Sequence, residues 1–259
     1  MKPLTALPLL LALTACASPA TRSGFLSTYD GLSPASGQVR AKVETRQDTG
    51  ALAQVRKVSI APTILAADAP WLNEAERRLL LREIDAQLCF ELSERYEIAP
   101  ADAEAHQVRA AVTAVEPTGR VSSAASAAAA FFIPGPLGLR APGTLGALSA
   151  EAEMMDDKAQ IAAISWSRAA TAVGTDDPSL SRVGDAMQFA EPFADAAAKT
   201  MTAQGRKSRD IAKPDPCAQF GPRFRAEGFA ASMATGLYVP EMSGAKADAP
   251  KPSADSRQN

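Results

Sequence analysis

The pattern of apolar and polar positions predicts strands on either side of a long helix. Val55–Pro62 alternates with the period of two that a half-buried strand shows, and the proline ends it. Asn73 and Glu76 have the spacing of a capping box, which opens a helix running to about Tyr96. The apolar residues of this helix lie on two opposite faces, so both faces need a covering layer. The first face carries Leu81, Ile84, Leu88 and Leu92, and the second carries Leu79, Ala86 and Phe90.

The pattern further along the chain predicts a hairpin and a second helix. Short strands are expected at 96–99 and 107–115, and the stretches 149–154 and 161–170 form the hairpin. Apolar residues at steps of four then indicate a last helix, in which Pro192 introduces a kink or marks the true start. These residues are Phe189, Phe193, Ala197 and Met201.

This order of elements favours an α+β fold. We expect a mixed, mostly antiparallel sheet with two main helices packed on one face, within a domain at 25–210. Residues 211–242 are apolar enough to form a helical appendage that packs on the domain, whereas 243–259 lack large apolar residues and are expected to be disordered. The apolar residues of the appendage are Phe220, Phe224, Phe229, Met233, Leu237 and Tyr238.

The amino-terminal segment has the layout of a secretory signal. Its apolar stretch, Leu4–Leu13, is preceded by Lys2, contains Pro8 and is too short for a membrane span. We therefore interpret residues 1–15 as a signal peptide.

The end of this segment resembles a bacterial lipobox, with the sequence Leu13-Thr14-Ala15-Cys16. The resemblance implies a diacylglyceride on the Cys16 thiol, an acyl chain such as palmitate on its amino group, and a lipidated tether at 16–24. Several acyl chains hold a protein stably at a bilayer. Ala17, in place of an aspartate, favours the outer membrane, with the domain facing the periplasm. The alternative is an ordinary signal peptide with an incidental cysteine.

Charge and composition narrow the classes of partner. The formal net charge is −2, so no basic surplus exists to neutralise phosphates, and nucleic-acid binding has no electrostatic support. A polybasic membrane-binding surface is equally unsupported. We therefore expect membrane contact through the lipid on Cys16.

The stretch SGFLSTYDGL at 23–32 follows the tether. Placed shortly after a lipobox, it is similar to the opening of the uncharacterised YdcL-type lipoproteins of Gram-negative bacteria, which contain a domain of unknown function. The resemblance covers roughly residues 23–205. No catalytic residues are established for that family, so the resemblance implies none in this chain.

Two cysteines remain once Cys16 is lipidated. The periplasm permits disulfides, and Cys89 lies beside the second apolar face of the long helix, where a covering layer is needed. Because the appendage begins near Cys217, we expect a Cys89–Cys217 disulfide. Two buried free thiols and a metal site are the alternatives.

No combination of residues predicts a reaction. His106 is the only histidine, whereas a triad requires one as its base and a zinc site usually needs further histidines or cysteines. Glu151 and Glu153 alternate with alanines and are expected on a solvent-exposed face. A glycosidase-type pair of carboxylates could still come together in the fold. We predict no catalytic residue, metal or cofactor.

An apolar insertion at 121–142 interrupts the sheet, and Pro134 and Pro136 break it before it could span a membrane. It either packs onto the domain's own sheet or forms an exposed contact for a partner protein or the lipid surface. The residues available for that contact are Phe131, Phe132, Ile133, Leu137 and Leu139.

Together these features favour a non-enzymatic outer-membrane lipoprotein that serves as a periplasmic interaction module of the cell envelope, with an envelope protein as its partner. Two alternatives remain: a lipid-anchored hydrolase of envelope polymers, and a carrier of a small apolar ligand.

Overall fold

The computed structural model describes residues 22–37, 40–100, 103–119, 145–171 and 176–245, together with the backbone at 138–139 and 173–174. Among these residues no helix is both long and apolar enough to cross a membrane.

An eight-stranded sheet forms the centre of the structure. Its strands are β1 (Ser33–Pro34), β2 (Lys42–Gln47), β3 (Lys57–Ile60), β4 (Ile64–Leu65), β5 (Glu97–Ile98), β6 (His106–Glu116), β8 (Ala147–Asp156) and β9 (Ala159–Ala169). A separate ribbon pairs β7 (Gly138–Leu139) with β10 (Val173–Gly174).

The main sheet runs in the order β1-β2-β9-β8-β6-β3-β5, and β4 pairs separately with β6. The neighbouring strands β1, β2, β9, β8 and β6 pair antiparallel. At the other end of the sheet, β3 and β4 run parallel to β6, and β5 runs parallel to β3. The predicted α+β class with a mixed, mostly antiparallel sheet is confirmed.

The helices are α1 (Thr49–Gln54), α2 (Glu74–Ser93), α3 (Gly184–Gln188), α4 (Ala190–Thr200), α5 (Ala226–Thr235) and α6 (Pro240–Ser243), with a short 3-10 helix at Ala218–Phe220. The predicted capping box is present at the start of α2, where Asn73 and Glu76 each accept a hydrogen bond from the other's backbone N–H. Pro192 lies in the first turn of α4, where its missing N–H breaks no helical bond, so it belongs to the helix start.

The main core lies between the sheet and the two main helices, α2 and α4, which pack on one face. Ile84, Leu88 and Leu92 are fully buried there, as the helical spacing predicts. Trp166 on β9 is also buried and meets Phe189 and Phe193 edge to face.

A second, smaller core covers the other side of α2. It joins Ala86, Cys89 and Phe90 of α2 to Cys217 and Phe220 of the appendage. Ala245 also packs into this core, so the ordered appendage continues beyond the expected end at residue 242.

Candidate functional site

A pair of carboxylates lies buried on the sheet face opposite the helices. Glu151 and Glu153 occupy alternate positions on β8, which points the intervening Ala152 into the main core. The expectation of a solvent-exposed face is wrong, because Glu151 is 1% exposed and Glu153 is 0% exposed. The reason is a covering segment, residues 23–30, which we call the strap.

Glu153 is held by three kinds of donor. The Nε of Arg109 lies 3.0 Å from its carboxylate, the Nε2 of Gln160 lies 2.7 Å away, and the backbone N–H of Ser27 in the strap donates at 2.8 Å. Burial by itself raises the pKa of Glu153, but the hydrogen bonds from Gln160, Arg109 and Ser27 outweigh burial and hold the pKa below its ordinary value. Glu153 is therefore stabilised as a carboxylate.

Glu151 binds the strap through two hydroxyl groups. Tyr29 donates to its Oε2 at 2.8 Å, and Ser23 donates to the same oxygen. Tyr29 also accepts a hydrogen bond from the N–H of Gly24, and its ring lies beneath the guanidinium of Arg22. The carboxylate pair thus fixes the strap, and with it the point at which the amino-terminal segment leaves the domain. We call these contacts between the two carboxylates and the strap the clamp.

The appendage is fastened to α2 by a disulfide, by the Arg225–Glu83 ion pair and by hydrogen bonds from Arg223 to Phe90 and Ser93. The structure joins Cys89 and Cys217 in a disulfide. Arg223 binds Asp215 with its Nε and Nη2, and these hydrogen bonds lower the pKa of Asp215 although partial burial opposes them. Arg225 donates from Nη1 to Glu83 at 2.9 Å.

Glu83 is a buried member of this contact, and its burial raises its pKa even though Arg225 and Gln87 favour the charged form. The N–H of Ala245 also donates to Glu83, which brings the end of the appendage against α2. The base of the appendage is therefore fixed at several points.

The outer side of the appendage exposes an apolar patch, which we define as Phe224, Phe229 and Met233. They are 68%, 58% and 74% exposed. The rings of Phe224 and Phe229 lie 6.0 Å apart, and Met233 follows Phe229 by one helical turn. Of the apolar residues of the appendage, Phe220 is buried, whereas these three do not pack on the domain.

Gly228 explains why the patch points outward. It faces α6 so closely that a Cβ at this position would lie 2.7 Å from the Cα of Ser243 and 2.9 Å from the carbonyl oxygen of Met242. The glycine side of α5 therefore packs against α6, and Phe229 and Met233 are left on the other side. The i, i+4 spacing of Phe229 and Met233 was visible in the sequence, but the direction of their face was not.

Several predicted site residues lie outside the described residues. These are Cys16, Phe131, Phe132, Ile133 and Leu137. Leu139 is described only as backbone, in β7. Within the described part of the chain, no group of three or more metal-ligating side chains comes together.

Comparison with known proteins gives a family and distant fold similarities. The family model "Protein of unknown function (DUF3313)" matches residues 21–197. No curated protein matches the chain. Two solved structures of the PelC dodecamer from Paraburkholderia phytofirmans are similar to it over 63% of this chain. One has 13% identity, 99% coverage of its own chain and a TM-score of 0.39. The other, a single-residue variant, has 10% identity, 98% coverage and a TM-score of 0.38.

Proposed function

The chain belongs to the DUF3313 family, and we propose that it is a non-enzymatic interaction module, anchored to the outer membrane through a lipid on Cys16 and facing the periplasm. Within the family we place it with the YdcL-type lipoproteins, on the basis of the SGFLSTYDGL opening at 23–32. The proposed partner is a protein of the cell envelope that covers the apolar patch.

The observation that carries this proposal is the exposure of the patch. Phe224, Phe229 and Met233 are each more than half exposed and lie side by side, on a segment whose base is held to α2 by a disulfide and an ion pair. Contiguous exposed apolar side chains on a well-packed domain mark contact sites, and aromatic and methionine side chains are enriched in protein interfaces.

The position of the strap supports a protein partner over the protein's own membrane. The strap lies on the sheet face opposite α2, whereas the appendage packs against α2. The chain from Cys16 to Arg22 can extend over only about 20 Å. A bilayer reached by this tether lies on the strap side, so the patch on the helix side is available to a periplasmic protein.

The patch is tested with the double substitution Phe229→Ser and Met233→Ser. Because both side chains are exposed, we expect the free energy of unfolding to change by less than about 1 kcal/mol in total. We expect chemical crosslinks to a protein partner in intact cells to be lost. Ile64→Ser is the matched control, since Ile64 is an exposed apolar residue on β4. Crosslinks that persist in the double variant, or disappear equally in the control, would contradict the proposal.

The anchor is tested separately with Cys16→Ser. We expect the variant to escape acylation, to keep its signal segment and to leave the outer-membrane fraction, because lipid is the proposed means of membrane attachment. The readouts are metabolic labelling with palmitate and membrane fractionation. A correctly trimmed variant that still fractionates with the outer membrane would refute the lipid anchor.

A carrier of an apolar ligand is the second candidate, and a groove favours it. A space of about 1130 Å³ lies between α2 and the segment at 237–245, with Leu79, Leu81 and Leu237 in its lining. This volume is large enough for a drug-sized molecule, and the lining also carries charged side chains such as Arg78 and Arg82. Binding of a fluorescent fatty acid that Leu237→Glu abolishes and Ile64→Glu leaves intact would support the carrier, whereas no binding by the wild type would reject it.

A further inference from the structure

Basic side chains from three parts of the chain meet at the surface beyond the end of α2. One arginine lies just before β3, and another lies just beyond the last residue of α2. The third part is the segment 206–209, which follows α4 and contributes two arginines and a lysine. We define the basic cluster as Arg56, Arg95, Arg206, Lys207 and Arg209.

Hydrogen bonds to neutral groups bring the arginines of the cluster together. Arg56 donates from Nη1 and Arg206 from Nη2 to the same carbonyl oxygen, that of Val55, at 3.2 Å and 2.7 Å. Arg95 donates from Nη1 to the hydroxyl of Ser208, in the middle of the segment 206–209. These partners fix the positions of the guanidinium groups, but they carry no charge that would neutralise them.

The cluster has a surplus of positive charge. Within the part of the chain that the structure describes, none of its five cations forms an ion pair with a carboxylate. The acidic residues next to the cluster in sequence are Glu94, Glu97 and Asp210, and Glu97 pairs with Lys57 instead. Even when Glu94 and Asp210 are both counted against the five cations, three positive charges remain.

Neither the helix end nor the nearby acidic residues balance this surplus. The C-terminal end of a helix such as α2 carries about half a negative elementary charge, which offsets only a fraction of it. The carboxylates further along α2 and α4 act mainly on one another. Burial raises the pKa of Glu91, and the like charges of Asp195 and Glu94 raise it further. The cluster therefore keeps like charges close together, which an approaching anion would stabilise.

The exposure of the cluster favours an anion with several charges. Arg56, Lys207 and Arg209 are exposed, and Arg95 and Arg206 are partly exposed. A single exposed ion pair contributes little in water, so a small ion gains little from any one of these cations. A polymer meets several of them on one chain, and each contact after the first is intramolecular.

The position of the cluster favours a soluble polymer over the protein's own bilayer. The cluster lies beyond the ends of α2 and α4, which pack on one face of the sheet. The strap, from which the tether leaves, lies on the opposite face. A bilayer reached by the tether thus lies on the strap side.

We propose that the basic cluster binds an anionic polymer of the cell envelope whose repeating units carry phosphate or carboxylate groups. The fixed guanidinium groups of Arg56, Arg95 and Arg206 bind these groups by charge-assisted hydrogen bonds. Lys207 and Arg209 add exposed positive charge beside them. The cluster shares no residue with the apolar patch. The proposed function enters only by placing the protein in the envelope, and the following test in solution does not depend on it.

The test is titration of the full chain with two labelled polymers, a short linear polyphosphate and an oligogalacturonate, followed by fluorescence anisotropy. We expect saturable binding that weakens about 100-fold between about 50 and 200 mM salt, because several cations release counterions from the polymer. Lys207→Gln combined with Arg209→Gln removes two exposed charges, and we expect binding to weaken about tenfold. The thermal midpoint of unfolding should not change, since both side chains are exposed.

The matched control is Lys158→Gln combined with Arg78→Gln. It removes one exposed lysine and one exposed arginine outside the cluster, so the net charge changes by the same amount. We expect polymer binding to change by less than about twofold. Asp210→Asn removes an exposed carboxylate next to Arg209, and we expect tighter binding.

Vesicles of phosphatidylglycerol test a membrane as the alternative, and vesicles of phosphatidylcholine measure binding by the lipid anchor alone. We expect the substitutions at Lys207 and Arg209 to leave the difference between the two vesicles unchanged. If neither polymer binds the wild type, or if the cluster variant and the control variant weaken polymer binding equally, the proposal is overturned. It is also overturned if the cluster variant loses binding to phosphatidylglycerol but not to the polymers.

Discussion

The hydroxyl of Tyr29 donates a hydrogen bond to the buried carboxylate of Glu151, 2.8 Å away. This contact joins the strap to the centre of the sheet across 122 positions of sequence. Tyr29 lies within the stretch SGFLSTYDGL at 23–32, inside the part of the chain that the DUF3313 family model matches. The motif therefore has a structural role, since it covers a carboxylate that β8 presents.

Tyr29→Phe removes this hydroxyl and leaves the ring. Because a hydrogen bond to a charged group is lost and a buried carboxylate loses a donor, we expect the free energy of unfolding to fall by about 1–3 kcal/mol. Urea unfolding measures the change. Ser33→Ala, which removes an exposed hydroxyl with a longer contact, is the control and should change stability by less than about 0.5 kcal/mol. Equal effects of the two substitutions would show that the clamp is unimportant.

Glu153 makes stability depend on pH in a defined direction. Its pKa in the folded protein is below the ordinary value of 4.5, so its ionised form stabilises the fold. That contribution is complete above pH 4.5 and is lost as the pH falls through the folded-state pKa. We expect wild type to be more stable than Glu153→Gln at neutral pH, and the difference to shrink as the pH falls below 4.5. The control is Glu227→Gln, because Glu227 is exposed. If the loss of stability caused by Glu153→Gln does not depend on pH, the ionised form of Glu153 does not stabilise the fold.

The disulfide should contribute strongly to the attachment of the appendage. Cys89 and Cys217 are separated by 128 positions, and cross-links that close loops of this length stabilise by up to about 5 kcal/mol in the chain-entropy model. We expect the double substitution Cys89→Ser and Cys217→Ser to lower the free energy of unfolding by about 2–5 kcal/mol. Mass spectrometry of the wild type should show no alkylation of either thiol without reductant, and alkylation of both would show that the bond is absent.

Gly228 should be intolerant of a side chain. A Cβ there meets backbone atoms of α6 at less than 3 Å, so Gly228→Ala forces α5 and α6 apart. We expect a cost of about 1–3 kcal/mol, measured by urea unfolding. Gly50→Ala in α1 is the matched control, because its Cβ has room and alanine favours a helix. If both substitutions are tolerated, α6 does not determine the orientation of the patch.

The parts of the fold that depend on local chemistry could be predicted from the sequence. Interactions within a few residues determine the capping box of Asn73 and Glu76 and the helix that follows, which is apolar on two sides. Because the second side of α2 needed a covering layer, the sequence also suggested the pairing of Cys89 with Cys217. The burial of Glu151 could not be predicted, because alternation shows only that polar side chains share a face. Whether that face meets water depends on the strap, which is distant in sequence.

The apolar patch was missed for a related reason. Helical spacing shows that Phe229 and Met233 share a side of α5, but it does not show which side packs. That choice depends on the close approach of Gly228 to Ser243, a tertiary contact.

The most direct test of the patch as a binding surface is site-specific photo-crosslinking in intact cells, with the photoreactive residue at position 233. We expect a discrete adduct to another envelope protein when the probe replaces Met233, and none when it replaces Ile64, which is also exposed and apolar. No adduct at position 233, an adduct consisting only of lipid or of a second copy of the chain, or equal adducts at both positions would contradict the proposed function.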